Sequence, residues 1–304
     1  MNRTGVRLGN VYYVNYGAQV SSKKKGEFGK QYLLTKETKG NPKKFFEGKD
    51  LSRFRIRYRG LKLDYNPQIM YGPRVPELFE SPKLIVRHIS GNNDTLISTV
   101  DHSGYYCDHG LILATDYKNL KSEDRTKFKG YAIIEDHNYT PEFILGVLNS
   151  RLMSFFYRNV YATGSLQGSY SHVYPKHVRD FPLPNFKEID EKAIDVVSIF
   201  TNYLLFLNAT EERRKSKKEL IEFIDKEIID SLVYELYFEE ELGTNLFEFV
   251  EPYLIDIEGI SDDETRLKTI EEVVEKIKKD GKVMREVERM KWHEWVNVVC
   301  GGGG

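Results

Sequence analysis

The chain has 304 residues, 40% apolar and 13% aromatic, enough for one large core or two ordinary ones. Its 45 Lys and Arg nearly balance 46 Asp and Glu, but residues 1–185 hold 28 basic against 17 acidic side chains, leaving 17 against 29 in the remainder. Two distant cysteines, Cys107 and Cys300, make no disulfide framework and point to a reducing, cytoplasmic setting. No apolar run reaches membrane-spanning length and no signal-like stretch is visible.

From residue 10 to about 140, short strand-like runs alternate with turn residues: 11–14, 31–34, 84–86, 110–113 and 131–134. Lys23, Lys24 and Lys25 stand between the first two in a polar loop, which reads either as a solvated connection or as a phosphate contact. Residues 53–59 alternate strictly, with Arg53, Arg55, Arg57 and Arg59 separated by Phe54, Ile56 and Tyr58. On a β-strand the four guanidinium groups would share one face, roughly 6.6 Å apart, and the apolar side chains would face a core. Such a face suits a polyanion, because the arginine fork grips phosphate and guanine edges bidentately. The plainer alternative is an exposed strand laced to acids, of which Glu47 and Asp50 are near in sequence.

Thr140-Pro141-Glu142 has the chemistry of a helix start: a capping hydroxyl, a proline in the first turn and an acid at the dipole's positive end. The apolar stretch 143–156 is expected to be the main helix packed on the sheet. The Gly/Ser-rich loop 163–172 offers Gln167, Ser169, Tyr170 and His172, side chains suited to base edges, although a plain surface connection has the same composition. Phe181-Pro182-Leu183-Pro184 closes this region, since prolines rule out a helix interior or a central strand. Beyond residue 186, apolar residues recur at three- and four-residue spacing, as in Ile221, Ile224, Ile228, Leu232 and Leu236, predicting amphipathic helices. The final Gly301–Gly304 is a tail without fold information.

Several segments, in order, resemble one family. Phe45-Phe46-Glu47-Gly48-Lys49-Asp50-Leu51 followed by Tyr58, and Pro76-Glu77-Leu78-Phe79-Glu80-Ser81-Pro82-Lys83-Leu84-Ile85-Val86-Arg87, carry the resemblance. Tyr106-Cys107-Asp108, the stretch around Leu148-Asn149-Ser150-Arg151-Leu152, the proline exit, and the run from Ile224-Asp225-Lys226 to Leu236-Tyr237 follow. Phe238 stands where the family commonly has glycine. Together they resemble the TaqI-like C-terminal target-recognition domain of type II (IIG) restriction–modification adenine-N6 DNA methyltransferases, over roughly residues 5–240. The resemblance implies a mixed-sheet DNA-recognition domain at 1–185, and with the apolar spacing beyond it the expected fold is α+β with a mainly helical extension at 186–300. It implies sequence-specific binding of double-stranded DNA, with phosphates met by the basic loop, Lys49, the four alternating arginines, Arg74 and Arg87. Gln167, Ser169, Tyr170 and His172 would reach base edges.

The methyltransferase elements of that family, a glycine-rich S-adenosylmethionine loop and Asn-Pro-Pro-Tyr, have no counterpart here, and Asn66-Pro67-Gln68-Ile69 reads as a turn. Catalysis, S-adenosylmethionine and any cleavage are therefore expected in a partner methyltransferase/endonuclease module, with no catalytic, cofactor or metal residue in this chain. His102, Cys107 and His109 are too crowded for a zinc set and lack a fourth ligand nearby. Two alternatives stay open: the specificity subunit of a type I-like system, and a protein-interaction scaffold working through its acidic helices.

Overall fold

In chain order the strands of the first half are β1 (Val6–Arg7), β2 (Tyr12–Tyr16), β3 (Leu34–Thr35), β4 (Pro42–Phe46), β5 (Leu51–Ser52), β6 (Arg55–Ile56), β7 (Lys62–Asp64), β8 (Lys83–Arg87), β9 (Ser98–Asp101), β10 (Tyr106–Cys107) and β11 (Leu111–Asp116). The computed structural model describes residues 5–21, 34–35, 42–92, 95–121, 131–162 and 171–301, and the fold is α+β. Two compact units divide the chain: residues 7–137 with 164–181, and residues 1–6 and 138–163 with 182–304.

The first unit holds two four-stranded sheets. One is antiparallel in the order β2-β11-β8-β9, and its central strands carry the apolar runs Leu84-Ile85-Val86 and Leu111-Ile112-Leu113-Ala114, all buried. The other is mixed, in the order β10-β4-β7-β3, with β10 parallel to β4. Phe45, Phe46, Leu63, Leu78, Phe79, Ile85, Tyr106, Leu111 and Leu113 belong to one apolar core shared by both sheets. Gly17 allows the chain after β2 to approach the turn before β11: a Cβ there would lie 2.3 Å from the Asp108 carbonyl oxygen.

The register of β8 on β9 is held by a buried charge pair. Lys83 faces Asp101 across the ladder, both are buried, and Nζ donates to Oδ2 at 2.5 Å and to the Phe79 carbonyl. Asp101 also accepts the N–H groups of Ser103 (2.7 Å) and Tyr105 (2.8 Å). With those partners in place the desolvated charges are compensated, whereas either one alone would be costly.

The second unit is helical. Thr140 caps the helix Pro141–Asn149 as its sequence predicts, its Oγ1 accepting the Phe143 N–H at 3.0 Å. The apolar run does not form one helix on a sheet. Ser150 (φ −65°, ψ 157°) interrupts it and caps a second helix, Arg151–Val160, while the first packs on Glu191–Asn208. That packing is close, because a Cβ on Gly146 would lie 2.7 Å from Thr201 Oγ1 and from Val197 Cγ1. The repeat at 221–236 is helical with a π-helical stretch at Phe223–Ile229, and the helix Asp230–Leu242 kinks at Phe238 (φ −132°), the position where the sequence departs from glycine. Among the described residues no helix is long and apolar enough to cross a membrane.

One strand expectation fails. Residues 131–134 form no strand: Tyr131 donates to Asp180 (2.7 Å) and Ile134 N–H to the Asn10 carbonyl (2.8 Å), isolated bonds rather than a ladder. Of residues 31–34, Leu34 is in β3 and the rest lie outside the described residues.

Candidate nucleic-acid interface

The arginine alternation does not form a continuous strand. Ser52 of β5 pairs with Arg55 of β6, and Arg53-Phe54 form the turn of a tight hairpin. Phe54 takes φ +59°, a left-handed conformation few side chains adopt, and its ring is buried. Burial of that ring within the turn overrides the period-two reading, so the four guanidinium groups do not share one face. Arg53 lies over the Phe54 ring at 5.3 Å, Arg53 and Arg55 are half-buried, and Arg57 is exposed.

Acids claim part of this basic surface. Arg59 Nε meets Asp50 Oδ1 at 2.6 Å, and this hydrogen bond raises the arginine's pKa further. Buried Asp50 also accepts the Glu47 N–H at 3.1 Å, while Lys49 reaches Glu47 at 2.7 Å and Lys43 reaches Glu80 at 2.7 Å. The plainer alternative thus holds at Arg59 and Lys49, while Arg57 is exposed.

A second surface brings together residues that are far apart in sequence. Past the end of β8, Ile89 pairs antiparallel with His172; Val173 N–H donates to the His88 carbonyl at 2.7 Å and Ser90 N–H to the Ser171 carbonyl at 3.0 Å. Burial alternates along this added segment: Ser171, Val173 and Pro175 face inward, His172, Tyr174 and Lys176 outward. His172 therefore stands beside His88, with ring centroids 4.8 Å apart. Tyr16 and Tyr174 meet the His88 ring edge-on at 5.8 and 5.3 Å, and His177 packs on Tyr174 at 5.1 Å. Burial holds the His88 imidazole below its usual pKa, reinforced by His172 and His109 and opposed by a hydrogen bond to the Val173 carbonyl.

Arg87, the last residue of β8, turns its Nε to the Ile89 carbonyl at 3.0 Å. Arg74 has φ +66°, its carbonyl accepts the Tyr65 hydroxyl at 2.7 Å, and its charge acts on Tyr16, whose phenol is raised chiefly by burial. The structure thus gathers Arg74, Arg87 and His172 with Tyr16, His88 and Tyr174, three residues that sequence reasoning missed. The alternation Ser171-His172-Val173-Tyr174-Pro175-Lys176 is the local signal that would have exposed Tyr174. Lys23, Lys24, Lys25, Gln167, Ser169 and Tyr170 lie outside the described residues.

Residues 43–183 match the TaqI-like C-terminal specificity domain. This segment is a TaqI-like specificity domain. It contains both surfaces except Tyr16, and the motif residues Asp50 and Lys83 are buried, Lys83 against Asp101. No curated protein matches the sequence. A solved structure of the Type IIL restriction-modification enzyme MmeI in complex with DNA is similar over 90% of this chain and 37% of that one, at 10% identity and TM-score 0.44. The chain spans 37% of that enzyme's length. Among the described residues no group of three His, Cys, Asp or Glu is placed to hold a metal, and Cys107 is fully buried in the apolar core.

Proposed function

We propose that this chain is the DNA target-recognition region of a type II restriction–modification adenine methyltransferase. The specificity-domain match over residues 43–183 carries the reading. Residues 1–185 read double-stranded DNA, and 186–300 form a helical extension toward the methyltransferase/endonuclease module. That module holds S-adenosylmethionine, flips the target base and performs any cleavage. Arg53, Arg55, Arg57, Arg74 and Arg87 meet phosphates together with Lys23, Lys24 and Lys25; His172, with Gln167, Ser169 and Tyr170, meets base edges.

The test is retention of a random-sequence duplex library on the chain at low and physiological salt, with the retained fraction sequenced. The expected result is an enriched short motif and steeply salt-dependent affinity. Arg57→Ala should weaken binding equally across sequences and flatten the salt slope by about one phosphate. Salt-independent retention, or none at low salt, would overturn the reading and favour a protein-interaction role.

A further inference from the structure

We propose that His172, its hydrogen-bond polarity set by His88, is a specificity-determining contact whose outward ring nitrogen accepts a hydrogen bond from an exocyclic base amino group. The inference rests on the DNA-recognition reading and names the chemistry by which one position of the target would be read.

The argument runs along a chain of hydrogen bonds. His88 Nδ1 lies 2.6 Å from the Val173 carbonyl oxygen. A carbonyl only accepts, so Nδ1 carries the proton and the Nε2 of a neutral His88 presents a lone pair. That lone pair faces His172 Nδ1 at 3.2 Å, so His172 Nδ1 must donate. The remaining nitrogen, His172 Nε2, is then an acceptor on an exposed ring. Backbone pairing of residues 171–173 with 88–90 holds the two rings in place, and the edges of Tyr16 and Tyr174 pack against His88.

In the major groove, adenine N6 and cytosine N4 are the base amino donors, and guanine offers only acceptors there. A neutral His172 therefore favours adenine or cytosine and disfavours guanine. Adding one proton reverses this wherever it settles. On His172, it protonates Nε2 directly. On His88, it turns Nε2 into a donor toward His172 Nδ1, which moves the His172 proton outward to Nε2. The groups facing the pair are His109, Tyr16 and Tyr174, with His177 against Tyr174 and Arg74 and Arg179 acting on Tyr16. Burial, with His172 and His109, holds His88 below its usual pKa against the hydrogen bond to the Val173 carbonyl.

Two measurements test this. Ring 15N spectra of the whole chain at about pH 8, well above the ordinary imidazole range, should show both His88 and His172 as Nδ1–H tautomers. An Nε2–H His172 at that pH overturns the proposal without any DNA present. In the duplex selection, His172→Ala should cost one motif position its adenine or cytosine preference by about fivefold, the worth of one hydrogen bond, and leave the other positions unchanged. Wild-type protein at about pH 5.5 should lose the same preference at the same position. A motif kept position for position in His172→Ala overturns this inference alone, whereas absence of any motif in the wild type overturns the recognition reading beneath it.

Discussion

The sheet unit and the helical unit solve different problems with the same amino acids. In the helical unit, starts are written locally: Thr140, Ser150, Asp190, Thr210, Asp262 and Asp280 each accept a backbone N–H from two or three residues ahead. Its charges pair mostly within a turn or two, as in Lys279–Glu275 and Lys268–Glu272, exposed contacts worth a few tenths of a kcal/mol. In the sheet unit the strands are short, polar partners come from far along the chain, and two side chains, Phe54 and Arg74, sit at positive φ. The lesson is that the helical unit draws on local propensity, while the sheet unit holds irregular backbone in place through non-local pairing, as a surface meant for recognition does.

The largest test of that contrast is Lys83. Lys83→Met leaves Asp101 buried without its counter-charge and should cost about 3–5 kcal/mol in urea unfolding. A loss under about 1 kcal/mol would mean that the backbone donors of Ser103 and Tyr105 suffice to hold Asp101.

In the helical unit one of the buried acids is Asp230, which accepts the Arg151 N–H at 2.8 Å and meets Arg151 Nε at 3.1 Å. Burial outweighs these partners and raises its pKa from 3.8 to about 6. The folded state therefore holds the proton more tightly than the unfolded chain. This contribution is full below the unfolded value and is lost as pH rises through the folded one, up to about 3 kcal/mol. Asp230→Asn should flatten the dependence of Tm on pH between those values, and an unchanged slope would assign it to other groups.

Gly146→Ala sets helix propensity against packing. Alanine is favoured by about 1 kcal/mol in a helix interior, but its methyl would press on Thr201 and Val197 of the neighbouring helix. A net loss of about 1–2 kcal/mol is expected from overpacking, read as a fall in Tm. A gain would show that the helix pair relaxes.

The smallest effect has the opposite sign. Arg74→Gly removes a side chain from a left-handed backbone and should stabilise the sheet unit by up to about 1 kcal/mol. The same change should weaken duplex binding, and stability gained at unchanged affinity would remove Arg74 from the interface.

Much of the fold was legible. The apolar runs at 84–86 and 110–113 announced strands, and Thr140-Pro141-Glu142 announced a helix, because short apolar runs and capping chemistry are local signals. The residues 53–59 misled, since a period of two says nothing about where a turn falls; that depends on Phe54 finding a pocket and Phe54 N–H reaching the Ser98 carbonyl. Of the candidate site, Arg74, Arg87 and His172 were legible as types, but not as neighbours of Tyr16, His88 and Tyr174.

The sequence by itself determined the strand-rich first part and helical last part, the split of charge between the two halves and the likeness of residues 43–183 to one family, because composition, period and short motifs act over a few residues at a time. The tertiary structure alone decided which cations face solvent and which are tied to acids, and which histidines stand side by side. Those properties depend on partners far apart in sequence, 85 residues for His88 and Val173 and 173 for Arg7 and Asp180, and distance along the chain carries no information about contact until the sheets have paired.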